Sequence, residues 1–131
     1  MQAETDCFLP QADQRYLNEN GIAVDYVTDG NQKGVVLLGF HLPENHFQVS
    51  AADVLIILPN GYPELPPDMF FVDPWLTLGI TGRYAQAADQ PKQFAGRRWQ
   101  QWSRHNNSWR PGIDFIRTHI RRVTKALEEA R

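Results

Sequence analysis

The chain has 131 residues, a formal net charge of −2 and 42% hydrophobic residues, enough for one domain over residues 1–131 with an apolar core of its own. Its single cysteine, Cys7, excludes a disulfide framework and a cysteine-based zinc cluster. No stretch approaches the roughly 20 apolar residues of a membrane helix. The N-terminus MQAETDCFLP lacks the basic-then-apolar order of a signal peptide, so a cytoplasmic protein is expected.

Residues 10–20 predict a short helix with Ala12, Tyr16 and Leu17 as its apolar stripe and Gly21 at its end. Residues 22–27 predict a strand with Ile22, Val24 and Tyr26 on one face. Asp29-Gly30 opens a turn that Gly34 closes, and residues 35–40 complete a hairpin. The apolar run 54–58, between Asp53 and Pro59-Asn60-Gly61, has the length of a central strand covered on both faces. Pro63, Pro66 and Pro67 interrupt regular structure; residues 69–72 form a fourth strand, ended by Pro74. Residues 75–108 hold no sustained period and are punctuated by Gly79, Gly82, Pro91 and Gly96. Three tryptophans lie there (Trp75, Trp99 and Trp102), so the segment is expected to be packed. Ile113, Ile116, Ile120, Val123 and Leu127 then recur at helical spacing, with Pro111 in the first turn and Asp114 near the positive end of the helix dipole. Arg117, Arg121, Arg122 and Lys125 fall mostly outside that stripe. The predicted class is α+β: a four-stranded antiparallel meander with a short N-terminal helix and a C-terminal amphipathic helix.

The small net charge conceals a division. Residues 1–91 carry three basic and twelve acidic side chains, a net of −9, and residues 92–131 carry ten and three, a net of +7. The basic part also holds Trp99, Trp102 and Trp109. Such a region suits a solvated face, a dock for an acidic protein, or a nucleic-acid-binding module using residues 92–125. A pI of about 6.0 and the lack of a known binding motif count against nucleic acid. His41, His46, His105 and His119 show no metal-ligand spacing, and no metal or cofactor is expected. His119 follows Phe115 at i,i+4 and reads as its packing partner.

Pro59-Asn60-Gly61-Tyr62-Pro63-Glu64-Leu65-Pro66-Pro67 resembles the YPxxPP element of the ubiquitin-conjugating (E2) superfamily and its RWD relatives. Trp109-Arg110-Pro111 resembles the W-x-P element before the E2 helix that follows the active site. More narrowly, Leu9-Pro10-Gln11-Ala12-Asp13, Pro67-Asp68-Met69-Phe70, Asp73-Pro74 and Trp102-Ser103-Arg104-His105 are similar to the divergent bacterial E2 family protein E group. The resemblance implies an E2/UBC-like fold and a bacterial operon with a ubiquitin-like protein, an E1-like adenylating enzyme and often a peptidase. By analogy of fold it implies a monomer outside its complexes.

The chain departs from the superfamily at the active site. No cysteine lies between Val72 and Trp109, Cys7 is at the opposite end of the fold, and Asp73-Pro74-Trp75 stands where the His-Pro-Asn element is expected. Ser103, six residues before Trp109, is the candidate nucleophile, and His105 its candidate base. Asn106 and Asn107 offer amide donors for an oxyanion. Arg97, Arg98, Arg104 and Trp102 are the candidate partner-binding residues. The expected chemistry is acyl transfer through an oxyester on serine; the alternative is a non-catalytic E2-like adaptor that binds the ubiquitin-like protein or the E1.

Overall fold

The computed structural model describes residues 8–105 and 108–131. Its elements are α1 (Gln11–Glu19), β1 (Val24–Asp29), β2 (Gln32–His41), β3 (Ala51–Leu58), β4 (Phe70–Asp73), β5 (Gln90–Phe94), β6 (Arg97–Trp102) and α2 (Ile116–Glu128). One antiparallel sheet runs β1-β2-β3-β4-β6-β5. Among the described residues, no helix is long and apolar enough to cross a membrane.

The first four strands form the expected meander, but among the described residues the sheet has six strands and not four. The two additional strands come from the segment that showed no period. Ala95 (φ 52°) and Gly96 (φ 79°) are successive left-handed residues, the requirement of a tight hairpin turn. Pro91 is tolerated because β5 is an edge strand and pairs only with β6.

Alternation places one set of side chains under the helices and the other on the opposite face. Val35, Leu37, Val54, Ile56, Phe70, Val72 and Trp102 share the main core with Ile116, Ile120, Val123 and Leu127 of α2. Ile22, Val24 and Tyr26 pack against that same core, as their spacing predicts. Val36, Leu55, Phe71, Phe94 and Trp99 make a second cluster, so β3 is covered on both faces.

Gly34 lies inside β2 and not in the turn, which Gly30 (φ 61°) and Asn31 make. A Cβ on Gly34 would stand 2.8 Å from Leu55 Cδ1, 3.1 Å from Phe94 Cε1 and 3.3 Å from Val27 Cγ2. The second cluster thus closes over a missing side chain. Gly34→Val is expected to cost about 1–3 kcal/mol by overpacking; an unchanged urea midpoint would refute this use of the glycine.

The helices depart from their predicted faces in instructive ways. In α1 the buried residues are Asp13 and Leu17, with Tyr16 half-buried and Ala12 exposed. A carboxylate is tolerated inside because Asp13 accepts hydrogen bonds from the Tyr62 hydroxyl and, at 3.5 Å, from the Ile116 amide at the start of α2. Helix α2 begins three residues later than the apolar spacing suggests: Ile113 is 59% exposed, and Pro111 belongs to a preceding turn. Gly112 (φ 83°) breaks helical continuity between them. Asp114 is buried just before the helix, where its carboxylate holds the Arg110 guanidinium at 2.9 Å and takes the Thr118 hydroxyl at 3.3 Å. The hydrogen bonds from Arg110 hold its pKa below the ordinary carboxylate value.

One buried side chain makes four of the contacts that fix the long loop between β4 and β5. Gln100 of β6 is fully buried. Its Oε1 accepts from Leu76 N at 2.8 Å and Trp102 Nε1 at 3.1 Å, while its Nε2 donates to Leu76 O at 3.0 Å and Ala88 O at 2.7 Å. Trp75 Nε1 donates to Arg98 O at 3.2 Å, and Leu76 is buried beneath the loop. The segment is therefore packed without regular structure of its own over most of residues 75–89.

Candidate functional site

The two proline-containing motifs meet. Trp109 Nε1 donates to Pro63 O at 2.8 Å, and the Tyr62 and Trp109 rings lie 6.3 Å apart. Tyr62 continues the chain of contacts to Asp13, and Asp13 to the first amide of α2. Burial of the phenol beside the Asp13 carboxyl raises the Tyr62 pKa, and burial raises that of Asp13.

β6 ends at Trp102, and Ser103-Arg104-His105 leaves the sheet. Ser103 is fixed by its amide, which donates to Ala87 O at 3.1 Å, and its Oγ accepts from Gln101 Nε2 at 3.4 Å. The Arg104 guanidinium lies 5.0 Å from the Trp102 ring centroid and donates to Ser103 O at 3.2 Å. Partial burial lowers its pKa. His105 Nδ1 pairs with Asp68 Oδ1 at 2.9 Å, with both side chains about 60% exposed (61% and 60%).

Ser103, Arg104, His105 and Asp68 all line one open cavity of about 1090 Å³ between the β4–β6 strand ends and α2. His119 and Arg122 of α2 line it too. His119 is 3% exposed; its Nε2 donates to Met69 O at 3.2 Å, and its buried Nδ1 has no partner among the described residues. Burial pulls its pKa down to about 4. Its ring is therefore neutral at pH 7 and is held by the backbone of Met69.

The other candidate residues are placed elsewhere. Arg97 ion-pairs with Asp53 at 3.0 Å and Asp73 at 2.8 Å and stacks over Trp99 at 4.2 Å, so its charge is committed within the fold. Asp53 and Asp73 are directly opposed on β3 and β4, and the guanidinium offsets their repulsion. Hydrogen bonds from Arg97 to the two carboxylates outweigh its desolvation and raise its pKa. Arg98 is exposed, over the Trp75 ring at 4.8 Å. Trp102, a candidate partner contact, is fully buried and stacked on Phe70 at 5.5 Å; it belongs to the core. Asn106, Asn107 and Cys7 lie outside the described residues.

Sequence reasoning grouped Ser103, Arg104 and His105 because they are contiguous, and the cavity gathers them. It missed Asp68, His119 and Gln100. Asp68 is 37 residues from His105 and joins it only through the β4–β6 pairing. No local spacing signals that contact.

No curated protein and no solved structure matches the chain. Residues 9–130 match the family model of Prokaryotic E2 family E, and the chain belongs to that family.

Proposed function

We propose that this chain is an E2-like carrier in bacterial ubiquitin-like protein conjugation, loaded by an E1-like adenylating enzyme. Ser103 Oγ attacks the activated C-terminal carbonyl of the ubiquitin-like protein, and His105 takes the hydroxyl proton. The bond from that carbonyl to the E1 thiolate or to AMP breaks, leaving an oxyester on Ser103. An acceptor amine or hydroxyl then attacks the ester, and the departing Ser103 oxygen recovers a proton. Arg104, beside Ser103 on the cavity wall, is the cation offered to an acidic surface or carboxylate of the incoming protein. Asn106 and Asn107, next in the chain, are the proposed oxyanion donors.

The observation that carries this reading is the shared cavity: Ser103 and His105 line it together in a chain of an E2 family. One observation favours a second reading, a non-catalytic adaptor for the ubiquitin-like protein or the E1: no cysteine lies between Val72 and Trp109.

Intact mass spectrometry after mixing with an E1-like enzyme, ATP and a ubiquitin-like protein from the same genome separates the two. The expected product is an adduct that resists reductant, yields to hydroxylamine and is lost in Ser103→Ala but not in Cys7→Ala. His105→Ala should slow loading by roughly 10²-fold. An uncharged protein beside a charged E1 would favour the adaptor. Loss of the adduct only in Cys7→Ala would place the chemistry at the other end of the chain.

A further inference from the structure

We infer that Asp68 is the positioning residue for His105, holding its neutral imidazole as the Nδ1–H tautomer and leaving Nε2 as the free base at the cavity; this rests on the acyl-transfer reading above. His105 sits on an exposed loop, where an imidazole would otherwise rotate freely. The neutral ring in water favours the proton on Nε2, the wrong nitrogen for a base working through that atom. A carboxylate can only accept, so the 2.9 Å contact between Asp68 Oδ1 and His105 Nδ1 requires Nδ1 to be the donor.

The fold holds Asp68 firmly enough to do this. Pro67 before it is buried, and Met69 after it gives its carbonyl to the buried His119 Nε2 at 3.2 Å. Phe70, next again, begins the ladder opposite Trp102. Extending that register outward by two residues sets Asp68 opposite Arg104, beside His105. The carboxylate is thus aimed by backbone already fixed to α2 and to β6. A hydrogen bond this exposed contributes little to stability. Its effect lies in the direction and tautomer of the ring.

The test has two arms. Long-range ¹H–¹⁵N spectra of the free protein report which imidazole nitrogen of His105 is protonated, without any partner. Wild type should show Nδ1–H, Asp68→Ala should revert towards Nε2–H, and Asp68→Glu should restore Nδ1–H at least in part. In single-turnover loading from a charged E1, Asp68→Ala should lower the maximal rate about tenfold, leave the concentration dependence unchanged, and be rescued by Asp68→Glu. An unchanged tautomer in Asp68→Ala overturns the inference, as does an unchanged rate where Ser103→Ala abolishes loading. If Ser103→Ala loads normally, the oxyester reading fails, and the spectra alone still decide whether Asp68 orients the ring.

Discussion

Gln100→Leu is expected to destabilise the protein by about 3–5 kcal/mol. The leucine fills a similar volume and removes every polar partner at once. Leu76 N, Leu76 O, Ala88 O and Trp102 Nε1 are then left buried or forced to reopen the loop to water. An unsatisfied buried group costs about 1–3 kcal/mol, and the loop relieves part of the total by moving. Urea unfolding measures the loss, and hydrogen exchange at Leu76 locates it. A loss under about 1 kcal/mol with Leu76 still protected would mean that apolar packing, not this glutamine, holds the loop.

The second large effect is a fall in stability on mild acidification. His119 titrates near its ordinary 6.5 in the unfolded chain but only at about 4 when buried. Between those values the unfolded chain binds the extra proton, so stability present above pH 6.5 is lost as pH falls towards 4. The shift corresponds to about 3 kcal/mol. The main cause is burial of the ring; a second proton on Nδ1 would find no acceptor among the described residues, and the nearby Arg122 charge adds to the penalty. His119→Gln keeps a donor for Met69 O and cannot titrate. Its stability should therefore be flatter than wild type across this window.

Other carboxylates are common to both proteins and cancel in that comparison. Asp114, with its depressed pKa, loses stabilisation only as pH falls below the usual carboxylate range. Asp13, with its raised pKa, acts in the opposite sense: its contribution is lost as pH rises through the folded-state value. Parallel stability profiles for wild type and His119→Gln would exclude His119 as the source.

The meander was legible because β2, β3 and β4 bury continuous or alternating apolar runs, and α2 because Ile116, Ile120, Val123 and Leu127 keep the helical period. The β5–β6 hairpin was not legible. Arg97-Arg98-Trp99-Gln100-Gln101-Trp102 looks polar, yet Gln100 points inward and is satisfied there by backbone groups from residues distant in sequence. Its turn uses Ala95-Gly96 and lacks the usual Asn-Gly signal. Ile113 continued the apolar spacing, yet it lies in the turn before the helix and is exposed. At the site, the contiguous Ser103-Arg104-His105 could be read from the chain. Asp68 could not, because strand register creates its contact.

The Asp53–Asp73–Arg97 triplet has an evolutionary consequence. Two carboxylates face each other across β3 and β4, and one guanidinium from β6 serves both. Loss of the arginine first would strand two opposed charges, whereas loss of one aspartate first would leave a simple pair. Drift away from this arrangement should therefore begin at position 53 or 73, with the arginine replaced last.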